Sequence, residues 1–279
     1  MTQVPFADAN GASIPKLGFG TWQLTGEDCV SAVRHALKIG YRHIDTAQIY
    51  ANEAEVGRAI AESGVAREDI FLTTKVWMSR MAPGELEQSA RESLEKLGVD
   101  QVDLLLLHWP NTKHPVAGMI GALNAAKAEG LTRHIGVSNY TAALLEEAVA
   151  ASHAPLVTNQ VEYHVLLDQT PVLTAARRHG LSVTAYSPIA QGKVSDVAVI
   201  REIARDHGKS PTQIALRWLM QQDGVIAIPR SSKPAHIEAN FDIFGFELSS
   251  GQMDRLSALG SDEGRLIDPG WAPRWDSAR

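Results

Sequence analysis

The chain has 279 residues, 44% hydrophobic and 21% charged, with a formal net charge of -6, a globular composition that fits one closed α/β barrel of roughly 250 residues. The negative balance argues against a general nucleic-acid binder or a membrane-surface protein and favours small-molecule partners. Cys29 is the only cysteine, so neither an intrachain disulfide nor a cysteine zinc cluster can form, in keeping with a reducing compartment.

The N-terminal stretch has no basic segment followed by an apolar core, so no secretory signal is expected and the chain reads as cytoplasmic. Asn10-Gly11 between short alternating segments predicts a hairpin that plugs a barrel floor. From there short apolar runs alternate with amphipathic stretches, the pattern of repeated βα units. Strands are predicted over Lys16 to Phe19, Tyr41 to Ile44, Ile70 to Thr74, Val102 to Leu107, His134 to Val137, Leu156 to Thr158, Ser182 to Ala185 and Val225 to Ile228. The run Val102 to Leu107 is too continuous for a half-exposed strand and too short for an ordinary helix, so both of its faces are expected to be covered. Its wholly aliphatic part, Leu104 to Leu107, falls far short of the ~20 residues of a membrane-spanning helix.

Between the strands, Leu86, Ala90, Leu94 and Leu97 recur at helical spacing on a helix that ends near Gly98. Ser210-Pro211-Thr212-Gln213 supplies an N-cap, a first-turn proline and a capping glutamine, and Ser249 with Gln252 repeats the cap before a short C-terminal helix and tail. No composition shift marks a linker. Residues 1–279 therefore read as a single domain of the (β/α)8 TIM barrel class.

Polar residues follow the strands in series: Asp45, Lys75, His108, Ser138-Asn139, Gln160 and Tyr186-Ser187. In a parallel barrel these C-terminal ends converge on one face, where such folds carry their active sites. Taken singly, Asp45 reads as a helix cap, Lys75 as a solvated charge and His108 as a hydrogen-bonded core histidine. Together a carboxylate, an ammonium and an imidazole at one mouth suggest a tuned acid or base. Tyr50 completes the set, since a phenol with an unperturbed pKa of about 10 needs a partner to act near neutrality. Lys75 beside it is expected to lower that pKa, Asp45 to hold Lys75 charged, and His108 to donate to the substrate oxygen.

The contexts Gly40-Tyr-Arg-His-Ile-Asp45-Thr-Ala-Gln-Ile-Tyr50, Thr73-Thr-Lys75-Val-Trp77 and Leu107-His108-Trp109-Pro110 resemble the aldo-keto reductase family. So do Leu17-Gly-Phe-Gly20-Thr-Trp22, Ile135-Gly-Val-Ser138-Asn139, Asn159-Gln160 and Ile228-Pro-Arg230-Ser231-Ser232, in the family's order. The resemblance spans essentially the whole chain. It implies carbonyl reduction with Asp45, Tyr50, Lys75 and His108 as the catalytic tetrad, Tyr50 being the general acid. It also implies no metal and a nicotinamide cofactor that meets Gly20, Thr21, Trp22 and Asp45. The ring is stacked on Tyr186, with Ser138, Asn139 and Gln160 at its carboxamide. Ser187, Ile189, Gln191, Gly192 and Lys193 then lie along the pyrophosphate, and Pro229, Arg230, Ser231, Ser232, His236 and Asn240 at the adenosine end. This set implies NADPH. His236 stands where arginine is usual and Ala239 where a polar residue is, so NADH is expected to serve as well.

Trp22, Tyr50, Trp77, His108, Trp109 and Trp271 are the implied substrate contacts, an apolar wall with few polar anchors. The short Asn111 to Met119 segment and brief tail suit a compact, open pocket, and Asp45-Thr-Ala-Gln-Ile-Tyr50, Ala61-Glu-Ser-Gly-Val65 and the tail Gly264-Arg-Leu-Ile-Asp-Pro-Gly-Trp-Ala-Pro-Arg-Trp275 resemble bacterial 2,5-diketo-D-gluconate reductases of the B type. That implies a keto-sugar acid or a methylglyoxal-like aldehyde as substrate. No carboxylate partner is legible in the sequence. No heptad or repeat signals assembly, and a monomer is expected. Two other readings stay open: a non-catalytic NADPH-binding regulatory subunit on the same fold, and a barrel aldolase using Lys75 as a Schiff base.

Overall fold

The structure is a computed structural model that describes residues 4–277. It opens with a hairpin of β1 (Phe6–Ala9) and β2 (Ala12–Pro15). Asn10 and Gly11 turn it with φ of 47° and 86°, the double positive φ that a two-residue hairpin loop needs. The Asn10 amide donates to the Leu156 and His179 carbonyls, which ties the turn to the lower barrel rim. Ala7, Ala9, Ala12 and Ile14 then pack on Leu104, Leu106, Val157 and Ile226, so the hairpin closes the floor as its sequence suggested.

Eight parallel strands follow in consecutive spatial order: β3 (Phe19–Gly20), β4 (His43–Asp45), β5 (Phe71–Val76), β6 (Val102–Leu107), β7 (Thr132–Ser138), β8 (Leu156–Glu162), β9 (Ser182–Tyr186) and β10 (Val225–Ala227). The sheet curls until its two edges meet. Leu17 bridges Ala227, the Gly18 amide donates to the Ala227 carbonyl at 2.9 Å, and the Gly20 amide to the Pro229 carbonyl at 3.0 Å. Gly20 must be glycine here because a Cβ would lie 2.8 Å from the Ile228 carbonyl oxygen. The strand predicted over Lys16 to Phe19 is correspondingly short and irregular; its residues are spent on closure rather than on a full ladder. All six residues of β6 are buried. Leu104 and Leu106 face the floor cluster and Leu105 and Leu107 the outer core, the two covered faces expected of that run.

Helices α1 (Gly26–Ile39), α2 (Glu53–Ala61), α3 (Glu85–Leu97), α4 (Val116–Ala128), α5 (Ala142–Ala151) and α6 (Thr170–Arg178) follow β3 to β8 in turn. Two more, α7 (Ala198–His207) and α8 (Pro211–Met220), lie between β9 and β10, with α9 (Pro234–Phe241) and α10 (Ser250–Ser257) after them. The stripe Leu86, Ala90, Leu94 and Leu97 is buried, and α3 stops at Gly98 in the left-handed conformation, where a side chain would be strained. Ser210 with Gln213 and Ser249 with Gln252 form reciprocal caps on α8 and α10. Among the described residues no helix is long and apolar enough to cross a membrane.

Candidate active site

Asp45 ends β4, Lys75 is the penultimate residue of β5, His108 follows β6, and Tyr50 ends a 3-10 turn, Gln48–Tyr50, just beyond β4. The parallel register sets them around one mouth. Lys75 is 0% exposed, and its ammonium donates to Asp45 Oδ1 at 2.5 Å, to the Thr46 carbonyl at 2.8 Å and to the Tyr50 hydroxyl at 3.2 Å. Three donors meet three acceptors, which is what lets a charged lysine persist away from water. Asp45 Oδ2 in turn accepts the Gln160 amide at 2.7 Å, so the carboxylate ties β4 to β8 across the barrel.

Burial pulls the Lys75 pKa down, but the Asp45 carboxylate and the Tyr50 phenol outweigh it, and the net direction is up. A lysine held charged with every N–H engaged is a poor imine-forming nucleophile, which counts against the aldolase reading. The Tyr50 phenol departs from the sequence expectation. Lys75 does pull its pKa down, but burial pushes it up more strongly and Asp45 adds to that, so the net direction is up. A raised pKa keeps the phenol protonated, the form a proton donor requires.

His108 sits edge-on between the Tyr50 and Trp77 rings, with centroids 5.7 and 5.3 Å away. Its Nδ1 is buried without a hydrogen-bond partner among the described residues. Burial first, and the nearby Lys75 charge second, hold its pKa well below 6.5, so the imidazole is neutral at pH 7. The folded value lies below the unfolded one; stability from His108 is therefore full above pH 6.5 and is lost as pH falls through the folded pKa. His43 is lowered too, by burial, and acts in the same sense. The urea midpoint is expected to fall on acidification from pH 7, and His108→Gln to flatten that fall. An unaltered slope in the variant would take His108 out of the linkage.

The groups read as a carboxamide and ring site lie beside the tetrad and are bonded to one another. Ser138 Oγ donates to the Gln160 carbonyl at 2.7 Å, and the Asn139 amide donates to the His108 carbonyl at 2.9 Å and to Ser138 Oγ at 3.1 Å. The Tyr186 hydroxyl donates to Asn139 Oδ1 at 2.8 Å, which fixes that ring at the mouth. Beyond it Ser187, Ala190, Gln191 and Gly192 all have positive φ in and before a 3-10 segment, Ala190–Asp196. Within this run the Ala190 amide donates to the Ser187 carbonyl at 2.9 Å and the Gly192 amide to the Ile189 carbonyl at 2.8 Å, so the loop is a succession of tight turns.

At the far end Arg230 and Ser232 are exposed, Ser231 and Asn240 are buried, and His236 is exposed on α9. The Arg230 guanidinium is engaged with the β3–α1 loop, donating to the Trp22 carbonyl at 2.8 Å and to Gln23 Oε1 at 3.2 Å. Thr21 turns inward, its hydroxyl on the Asp45 carbonyl at 3.0 Å.

The expected tryptophans form a continuous wall. Trp22 lies against Tyr50, Trp77 against His108, and Trp271 edge-on to both Trp77 and Trp109. Trp271 is 48% exposed and Trp109 6%, so the wall runs from buried to open. Several contributors were not among the residues that the sequence assigned to the site. Gln48 takes the Trp77 amide at 3.0 Å while donating to the Ser89 and Ser93 hydroxyls. Trp275 extends the wall beyond Trp109. Glu162 is buried, and its two oxygens accept the Leu266 and Ile267 amides at 2.9 Å each, which clamps the tail to the mouth. Contacts across more than a hundred residues leave no periodic trace.

A hollow of about 600 Å³ lies on the opposite, floor side, lined by Phe6, Arg42, Asp103, Arg133 and His134 among others. Its Asp103 is bridged by Arg67 and Arg133, and Arg42 donates to the Leu37 and Tyr41 carbonyls. The opposite mouth is where Asp45, Tyr50, Lys75 and His108 are gathered. Among the described residues no cluster of three or more His, Cys, Asp or Glu side chains is placed to hold a metal ion.

Residues 16–261 match the sequence profile of the aldo/keto reductase family. The chain is 44% identical over 268 residues, 95% of its length and 100% of the relative's, to methylglyoxal reductase DkgB of Yersinia pestis, and 43% identical over the same span to that of Escherichia coli O157:H7. A crystal structure provisionally described as 2,5-diketo-D-gluconic acid reductase B superposes with a TM-score of 0.97 at 48% identity, covering 99% of this chain and 98% of that one. The Bombyx mori aldo-keto reductase in complex with NADP superposes at 0.90 and 33% identity, covering 96% of each chain.

Proposed function

Since the chain belongs to the aldo/keto reductase family and is an oxidoreductase of carbonyl groups, we propose that it uses NADPH, with Tyr50 as general acid. The carbonyl is that of a keto-sugar acid like 2,5-diketo-D-gluconate or of a small aldehyde like methylglyoxal, the compounds in the relatives' names. The observation that carries this reading is the Tyr50 hydroxyl, set 3.2 Å from a fully buried ammonium that Asp45 keeps charged.

Bound NADPH would supply the hydride, leaving the protein to orient the carbonyl and deliver a proton. The residues fit that division. Tyr186, locked by Asn139, offers a fixed ring face, and Ser138, Asn139 and Gln160 can exchange some of their mutual bonds for a carboxamide. The loop from Ile189 to Gly192, flanked by the Ser187 hydroxyl and the Lys193 ammonium, suits a pyrophosphate. Neutral His108 can donate to the substrate oxygen and align it toward Tyr50. The phenol then gives its proton to that oxygen, and Lys75 stabilises the phenolate that forms. A non-catalytic regulatory protein would have no need of a buried, fully bonded ammonium at this point, and the family assignment to named reductases weighs the same way.

Ser231, Ser232 and the positive charge of exposed Arg230 suit a 2′-phosphate, hence NADPH. His236 brings less charge than a guanidinium, so His236→Arg is expected to raise kcat/KM for NADPH by about tenfold, the size of one charge-assisted contact, with little change for NADH. Steady-state kinetics with both cofactors on methylglyoxal test this. A marked NADH preference in the unaltered enzyme would overturn the NADPH assignment.

A further inference from the structure

The tail that closes the mouth is built to hold one side chain in place. Ser261 bridges Leu167, its amide donating to the Leu166 carbonyl at 3.2 Å. Gly264 comes so close to the same carbonyl that a Cβ would lie 1.7 Å from it. Leu266 and Ile267 are fastened by both oxygens of buried Glu162. Between these fixed points stands Arg265.

The Arg265 guanidinium lies over the Trp275 ring, 3.9 Å from its centroid, and Trp275 continues the wall through Trp109, Trp271 and Trp77 to His108. Its charge also reaches Tyr186 and offsets part of the rise that burial imposes on that phenol. Nη1 is buried and has no hydrogen-bond partner among the described residues. Glu162, Asp268 and Asp262 act on its charge through space, but each has hydrogen bonds of its own. Glu162 is taken by the two tail amides and by His164 Nε2 at 3.1 Å, Asp268 accepts the Trp275 indole N–H at 2.8 Å, and Asp262 accepts the Ser277 hydroxyl at 2.6 Å. A guanidinium cannot discharge itself by losing a proton, so a buried donor left without an acceptor is costly unless a ligand completes it.

We propose that Arg265 is a specificity residue that binds the carboxylate of an acidic keto substrate at the mouth, with Glu162 and Gly264 as its positioning residues. This rests on the carbonyl-reductase reading of the same site. It supplies the carboxylate partner that the sequence did not reveal and favours an acid over a neutral aldehyde. A phosphate of the cofactor is the other anion that could meet this fork, and the experiment separates the two.

The test compares unaltered enzyme, Arg265→Met and Arg265→Lys on 2,5-diketo-D-gluconate and on methylglyoxal, with NADPH affinity read from tryptophan quenching. In Arg265→Met the ratio of kcat/KM for the acid to that for methylglyoxal is expected to fall about 10- to 100-fold, the weight of a charge-assisted hydrogen bond. The loss should sit in KM, with Arg265→Lys between the two because it keeps the charge without the fork. An unchanged ratio overturns the proposal, and so does weakened NADPH binding with the ratio intact, which would hand Arg265 to the cofactor phosphate. An unaltered enzyme that reduces methylglyoxal but not the acid overturns it as well. Failure to reduce either compound would instead bring down the reductase reading itself.

Discussion

Replacing Tyr50 by phenylalanine is expected to lower kcat for carbonyl reduction by about a thousandfold, within the roughly 100- to 10,000-fold that a positioned general acid contributes, and to leave NADPH affinity little changed. The structure separates this chemical loss from a folding defect. Among the described residues the hydroxyl is bonded to Lys75 alone, and Lys75 keeps Asp45 and the Thr46 carbonyl when it is gone. The ring keeps its contacts with Trp22 and His108, so the stability cost is about 1–3 kcal/mol, that of leaving one buried ammonium N–H without its acceptor. The pH profile gives a second readout. With the Tyr50 pKa raised above 10.0, by burial against the pull of Lys75, the donor stays protonated through the neutral range. Reduction should therefore hold level there and decline only in alkali, where the reverse oxidation gains. Stopped-flow and steady-state rates of both proteins would check this. A phenylalanine variant turning over at nearly the unaltered rate removes Tyr50 from its role.

The barrel was legible because its strands alternate with amphipathic helices at nearly constant spacing, and because Gly98, Ser210 and Ser249 mark helix ends with chemistry that serves little else. The strand boundaries were read short wherever polarity was mistaken for a loop. The run from Leu156 was expected to stop at Thr158, yet β8 continues to Glu162. Asn159, Gln160 and Glu162 are buried there because each finds a partner inside the mouth: the Tyr140 carbonyl, Asp45 and the tail amides. Hydrophobic pattern measures a side chain's preference, not the partners that a closed barrel brings to it.

The same reasoning explains what was visible of the site. Asp45, Lys75 and His108 stand at strand ends, so a one-dimensional pattern places them on a common face once the barrel is granted. Glu162, Arg265 and Trp275 depend on a tail folding back over more than a hundred residues, which no local signal encodes. The direction of the Tyr50 pKa was missed for another reason. The sequence shows which charges are near neighbours in the motif, but burial, the dominant influence here, exists only once the walls are built.

Lys75→Met is expected to cost the fold about 3–5 kcal/mol, the usual penalty for removing one partner of a buried ion pair. Asp45 is 1% exposed, and without the ammonium it keeps, among the described residues, only the Gln160 amide as a side-chain donor. Adding Asp45→Asn should recover much of the loss, because the stranded charge disappears with the carboxylate; urea midpoints of the two single variants and the double variant give the coupling directly. The sign with pH follows from the raised Lys75 pKa. Its stabilisation is complete below the unfolded value of 10.5 and is lost as pH rises through the higher folded value, so the unaltered protein should lose stability on that alkaline limb and the methionine variant should not. Turnover should fall in Lys75→Met too, since nothing then offsets burial at the Tyr50 phenol or steadies the phenolate. The two substitutions thus differ in proportion: losing the phenol hydroxyl should remove rate at a modest cost in stability, whereas losing the ammonium should remove rate at the larger cost of a stranded carboxylate. A Lys75→Met protein as stable as the unaltered one would mean that the Asp45 charge is not held by Lys75, and the account of how Tyr50 is tuned would go with it.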